Sequence, residues 1–144
     1  MTQVPFLLYH PQQSWAGQKI RGFVQHTDVM PTVLDLLGVK IPARVTGESL
    51  RPLLETGGVS RRDVIVTGWG DHASVRGAEW NYIGRWSSGA PFEELYDLRK
   101  DPDELENVAA GHPALVSDFR AKLKRHVDAS WPMTRGSFAR VLNS

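Results

Sequence analysis

Four short strand-like runs crowd the middle of the chain: "DVIVTG" (63–68), "ASVR" (73–76), "WNYIGRW" (80–86) and "FEELYDL" (92–98). β-Branched and aromatic residues fill them, and Gly70, Gly77 and Gly89 punctuate the gaps. A parallel pair needs a crossover of a dozen or more residues, so the short gaps between these runs favour antiparallel pairing. Trp80, Tyr82 and Trp86 alternate along one of these runs and share a face, as core residues do. Pro113 then opens a helix in which Val116, Phe119, Leu123 and Val127 form one stripe, with Asp118, Lys122 and Lys124 outside it. A small antiparallel sheet with one helix across a face is a complete two-layer unit.

The first part of the chain has a different character. "VPFLLY" (4–9) is continuously apolar, which suits a strand buried on both faces of a helix-covered parallel sheet. One such strand cannot make that sheet alone, so its neighbours are expected elsewhere. "HTDVMPTVLDLLG" (26–38) places Met30, Val33, Leu34 and Leu37 on one helical stripe. Asp28 is its expected N-cap, Pro31 sits in the first turn, and Gly38 supplies the left-handed stop. "GESLRPLL" (47–54) reads as a short second helix with Leu50, Leu53 and Leu54 inward.

The 144 residues are enough to bury a core, and charged residues at 23% with a formal net charge of +1 argue for no nucleic acid or acidic membrane partner. No apolar run approaches a membrane span, and the N-terminal stretch lacks the basic start and small-residue cleavage site of a secretory signal. The absence of cysteine excludes disulfides and thiolate metal sites without fixing the compartment.

Candidate chemistry is sparse. His10, His26, His72, His112 and His126 show no metal-site spacing. The acidic group Asp97, Asp101, Asp103, Glu104 and Glu106 lacks the EF-hand pattern and reads as a solvated turn on Asp101-Pro102. Asp71, His72 and Ser74 are the right types for a triad, but no nucleophile elbow accompanies them. "WGDHAS" (69–74) remains the most chemically varied loop, and such a loop between strands either lines a ligand site or forms an ordinary polar turn.

Taken in order, "VPFLLYHP", "HTDVMPTVLDLLG" with "TGESLRPLL", "SVRGAEWNYI" and "ELYDLRKDPDELENVA" resemble the C-terminal portion of the sulfatase family of the alkaline-phosphatase superfamily, from residue 4 to about residue 127. The resemblance implies an α/β fold, α+β in its C-terminal part. Residues 1–58 would be the end of the catalytic α/β domain, with the last strand and helix of its large sheet. Residues 59–130 would be a small antiparallel sheet with a packed C-terminal helix, and residues 131–144 a loosely ordered tail.

Family members hydrolyse sulfuric esters with a formylglycine made from a C/S-x-P-S-R motif and a calcium-type cation held by Asp and Asn. This chain offers no match to that machinery. The nearest string, "SWPMTR" (130–135), carries its Arg one residue late. No catalytic residue, metal ligand or cofactor of this chain's own is therefore assigned. Calcium and formylglycine are expected in the full-length enzyme, in an N-terminal catalytic portion that would be this chain's partner, acting on a sulfate-ester small molecule or glycan. In relatives the loop entering the "SVR" strand lies near the substrate, which makes Trp69, Asp71 and His72 the candidate substrate contacts. Asn81 departs from the Lys that relatives often carry there. The expected activity of the chain alone is none. The competing readings are a stand-alone interaction module and a fragment of a phosphodiesterase or phosphonate hydrolase of the same superfamily.

Overall fold

The computed structural model describes residues 5–11, 15–57, 60, 62–86 and 91–130. They fall into two compact units, Met1–Arg61 and Arg62–Ser144.

The second unit is the expected two-layer arrangement. Strands β1 (Ile65–Trp69), β2 (His72–Arg76), β3 (Trp80–Arg85) and β4 (Glu93–Asp97) form an antiparallel sheet in sequence order. Register pairs Val66 with Val75, Val75 with Tyr82, and Tyr82 with Leu95. One face thus carries Ala73, Val75, Tyr82 and Leu95. Across it lies α3 (Pro113–Ser130), whose Val116, Phe119, Leu123 and Val127 are all buried in the same cluster. The stripe read from period 3.6 is the stripe that packs. Trp80 and Trp86 pack against this core, as their alternation with Tyr82 implies.

Two details hold that sheet together. A Cβ at Gly84 would collide with the Tyr82 ring. The missing side chain lets Tyr82 lie along the strand and donate its hydroxyl to Glu93 Oε1 at 2.8 Å, the residue paired with Gly84 across β4. Arg120 on α3 grips the same carboxylate with two nitrogens at 2.8 Å, a bidentate tie between the two layers. Burial first, then Glu93, pushes the Tyr82 phenol up to about 12. The outer edge of β4 is closed by the following loop. Asn107 Oδ1 accepts the Leu95 N–H at 3.0 Å, and the Val108 N–H donates to the Leu95 carbonyl at 2.9 Å.

The acidic turn after β4 is ordered by its own hydrogen bonds. Asp101 Oδ2 accepts the backbone N–H groups of Leu105 and Glu106, both at 2.8 Å, and these bonds hold its carboxyl below the usual range. Burial works to raise Asp97, and the hydrogen bonds and charge of Arg99, aided by Lys100, outweigh it and bring that carboxyl down. Glu104 pairs with Arg76 and accepts from Asn81 Nδ2 at 2.6 Å.

The first unit is built from α1 (Val29–Leu36), preceded by a 3-10 turn at His26–Asp28, and α2 (Arg51–Thr56). The stop of α1 follows the sequence. Gly38 takes φ +68°, its N–H reaches Asp35 and the Val39 N–H reaches Leu34, which is a Schellman closure. Asp28 stands at the N-cap of α1 as expected, but its side chain makes no cap hydrogen bond to that helix. Its carboxylate is fully buried and accepts the N–H of Gln25 at 2.8 Å and of Glu48 at 2.9 Å, binding the turn before the helix to a loop twenty residues later. Thr32 extends this link. Its hydroxyl donates to the Asp28 carbonyl and accepts the Leu50 N–H at the start of α2. Gly47 approaches so closely that a Cβ there would strike the Thr27 carbonyl.

The buried face of α1 is therefore Asp28, Pro31 and Thr32. The stripe expected to pack inward lies largely outside: Met30 is 53% exposed and Leu37 72% exposed, with Val33 exposed as well. The expected strand over residues 4–9 is not seen. Val4 lies outside the described residues, and Pro5 to Tyr9 carry no strand assignment, with Leu7 93% exposed. A strand exists by pairing, and none of the four strands of the described sheet pairs with this run. Residues 131–144, expected as a tail, also lie outside the described residues.

Candidate functional site: one end of the sheet

The β1–β2 hairpin turns through Gly70 and Asp71 alone. Trp69 and His72 are the closing pair, and Gly70 takes φ +56°, a conformation that glycine adopts without strain. The expected loop 69–74 is thus strand on both sides of a two-residue turn. Register carries the alignment onward, because His72 pairs with Arg85 of β3. Trp69, His72 and Arg85 form a row across three strands at one end of the sheet, on the face opposite α3. Phe92, just ahead of β4, joins them, and its carbonyl accepts the Arg85 N–H at 3.3 Å.

Asp71 ties the row together. Its Oδ1 lies 2.6 Å from His72 Nδ1 and its Oδ2 lies 2.9 Å from Arg85 Nε. Its carbonyl accepts the Trp86 N–H at 3.1 Å, fixing the turn to the end of β3. The His72 ring meets the edge of Phe92 at 4.8 Å and 89°, and Trp69 lies over it in an offset stack at 6.3 Å and 25°. Trp69 is 63% exposed.

The three candidate residues thus stand together, as their closeness in sequence requires. Arg85 and Phe92 complete the group and were not picked out from the sequence. Arg85 could have been found by pairing "HASVR" with "NYIGR" about the intervening turn. Ser74 belongs to a different network. Its hydroxyl donates to Asn81 Oδ1 at 2.6 Å, so it supplies no nucleophile to His72. Asn81, buried between Ser74 and Glu104, accepts from one and donates to the other. A Lys there has no acceptor to offer Ser74. Two of the other histidines pack on tryptophans, His10 against Trp15 and His112 against Trp80. His126, half-buried on α3, is held below the usual range by burial and by the Arg62 charge.

Among the described residues no three His, Asp or Glu side chains converge as metal ligands. The chain has no cysteine, and residues 131–135 of the nearest nucleophile-like string lie outside the described residues. Among the described residues no helix is long and apolar enough to cross a membrane.

The second unit is a four-stranded antiparallel sheet with α3 packed on one face, and the first is a helical segment that shows much of its apolar side. The family described as N-sulphoglucosamine sulphohydrolase, C-terminal, matches residues 1–130, and the chain belongs to the sulfatase family through this C-terminal portion. Arylsulfatase K of Xenopus laevis is 33% identical over 141 residues, covering 88% of this chain and 26% of that protein. A Delta 4,5-hexuronate-2-O-sulfatase of Bacteroides thetaiotaomicron is 30% identical over 145 residues, covering 86% and 30%. Among solved structures, BT4656 in complex with its substrate D-glucosamine-2-N,6-O-disulfate shares the fold at a TM-score of 0.59 and 23% identity, over 73% of this chain and 24% of that one. The chain spans about a quarter of the length of the relatives it matches.

Proposed function

We propose that this chain serves as the C-terminal portion of a sulfatase-type hydrolase of sulfuric esters and hydrolyses nothing by itself. The observation that carries this reading is the orientation of α1. Its polar residues Asp28 and Thr32 are buried while Met30, Val33 and Leu37 face outward. An apolar helical stripe is stable in water when something covers it, and in this reading the large sheet of an N-terminal catalytic portion does so. Residues 1–58 then close the catalytic domain, and the run at residues 4–9 gains the strand neighbours it lacks. That N-terminal portion would hold the formylglycine and calcium, which would supply the nucleophile and offset charge on the transferring sulfate.

Within this reading the row at the end of the sheet faces the substrate. Trp69 offers a ring surface, and Asp71 orients His72 and Arg85 toward it. Relatives bearing sulfatase names, one of them a hexuronate sulfatase, support a sulfated small molecule or glycan as the substrate. The complete two-layer core of the second unit favours one other reading, a stand-alone interaction module.

The test is to read the coding DNA upstream of the Met1 codon and to assay the joined and separate products on aryl and sugar sulfates. An open frame carrying C/S-x-P-S-R, whose joined product hydrolyses sulfate esters while the 144-residue chain does not, is the expected result. An in-frame stop would sink this reading in favour of the module. A joined product that cleaves phosphodiesters or phosphonates and leaves sulfates intact would reassign the enzyme within its superfamily.

A further inference from the structure

Helix α3 reaches the start of β4 through one carboxylate. Glu93 is the first residue of β4 and pairs with Gly84. Its Oε1 accepts the Tyr82 hydroxyl at 2.8 Å, and its two oxygens take Nε and Nη2 of Arg120, both at 2.8 Å. Its carbonyl accepts Asn107 Nδ2 at 3.3 Å. Burial, then Glu93 itself, pushes the Tyr82 phenol up to about 12, so it remains a donor to that carboxylate. Glu93 is thus held from the sheet, from α3 and from the loop after β4. Phe92 stands one residue outside the strand, and the Arg85 N–H reaches its carbonyl at 3.3 Å, a long bond. Its ring meets the His72 imidazole at 4.8 Å and 89°. His72 Nδ1 lies 2.6 Å from Asp71 Oδ1. A carboxylate only accepts, so Nδ1 carries the proton and Nε2 is the nitrogen left for a substrate.

We propose that Arg120 is a positioning residue for His72: by clamping Glu93 it sets Phe92, and Phe92 sets the plane of the imidazole whose Nδ1 Asp71 holds. The inference rests on the reading that this end of the sheet faces the substrate. It adds a part played by α3, which lies on the opposite face. Neighbouring residues at a strand's start belong to opposite faces, so fixing Glu93 on the α3 side fixes what Phe92 does on the other. A carboxylate that only fastened α3 to the sheet could stand anywhere along β4. This one stands beside the residue that touches His72. The guanidinium fork sets the direction of the carboxylate as well as its place, which an ammonium does not. Losing the fork shifts the imidazole slightly and leaves the core in place. Small shifts matter where a group must meet a reacting atom.

The test uses the full chain with its five histidines isotopically labelled for imidazole NMR. Spectra are taken at about pH 8, above the ordinary imidazole range, and His72 is identified by the signal lost in His72→Gln. The parent should show the Nδ1–H tautomer and ring-proton shifts displaced by the Trp69 and Phe92 rings. Arg120→Ala should carry both toward the values of an unrestrained imidazole, as Phe92→Ala does. Arg120→Lys keeps the charge without the fork and should fall between. It carries the same comparison if Arg120→Ala does not fold. Val116→Ala trims the same helix where it packs on the sheet and should leave His72 unmoved. A purely structural Arg120 would make the two helix variants alike. His72 signals that ignore Arg120, or that answer equally to Val116→Ala, would overturn the inference. In the joined protein, Arg120→Ala should lower kcat/KM for sulfate esters about tenfold, and Arg120→Lys should recover part. Unchanged turnover with a loosened His72 would overturn it too. The two readings separate. A joined protein that hydrolyses nothing, with His72 still answering to Arg120, would remove the sulfatase function alone. Hydrolysis with a His72 indifferent to Arg120 would remove the positioning role alone.

Discussion

The two units of the chain solve the burial problem in opposite ways. From Arg62 onward most of the apolar side chains gather in one core, with Trp69 and Leu105 among the exceptions. Ala73, Val75, Tyr82 and Leu95 meet Val116, Phe119, Leu123 and Val127, and the polar contacts ring that core. Up to Arg61 the fully buried side chains include an aspartate, a threonine and a proline, while much of the apolar surface stays outside. The first unit is organised by hydrogen bonds around Asp28 and Thr32, the second by area removed from water. Hydrogen bonds exchanged with water contribute modestly, and burial scales with area. The difference teaches that a helix with a well-formed apolar stripe and a sound C-terminal stop can be folded without its stripe being satisfied. Under the proposed function, the exposed stripe is the face that an N-terminal portion would cover.

The largest effect should come from the second unit's core. Leu95 is completely buried between Tyr82 and α3, and Leu95→Ala should lower stability by about 2–5 kcal/mol. The matched truncation in the first unit, Leu37→Ala, should stay within about 0.5 kcal/mol, because Leu37 is largely in water. Denaturant melts of the two variants, with amide exchange to read each unit separately, check both numbers. Equal losses would erase the contrast.

This contrast also marks what the sequence could convey. The α3 stripe and the α1 stripe are equally periodic, and period 3.6 reveals a face without revealing its partner. Phe119 and Leu123 find theirs in the same chain, whereas Met30 and Leu37 do not among the described residues. The strand "VPFLLY" failed for the same reason, since composition can say that a run wants two neighbours and cannot supply them. The N-cap position of Asp28 was legible, but the partners of its carboxylate were not, because capping is a local rule and its donors include Glu48, a contact set by the fold of the following loop. At the candidate site, Trp69, Asp71 and His72 were legible because a two-residue turn keeps them together. Arg85 and Phe92 enter through strand register, which a periodicity count alone does not give.

Second in size is the polar anchor of the first unit. Asp28→Ala removes the acceptor for the Gln25 and Glu48 N–H groups, and part-buried donors left unpaired should cost about 1–3 kcal/mol. Amide exchange should quicken at Gln25, Glu48 and Leu50 and stay unchanged in the strands. Loss of protection in β1 to β4 as well would show that the second unit depends on the first, and that its core is less self-sufficient than its packing implies.

The smallest effect on stability should accompany the largest change in behaviour. Replacing Met30 and Leu37 together by Gln leaves every hydrogen bond of the Asp28 and Thr32 anchor in place and exchanges two exposed apolar side chains for polar ones. Stability of the isolated chain should move by no more than about 0.5 kcal/mol, the usual range for surface changes. Solubility should rise, because an exposed apolar patch of the kind that promotes self-association is broken. In the joined protein the same pair would place two amides against a sheet expected to be apolar, each without a partner, and stability should fall by about 1–3 kcal/mol per residue. Concentration-dependent light scattering of the chain and thermal melts of the joined protein measure the two halves of this prediction. A double variant that melts like the parent in both settings would mean that the stripe covers nothing, and would hand the first unit's open face back to the solvent.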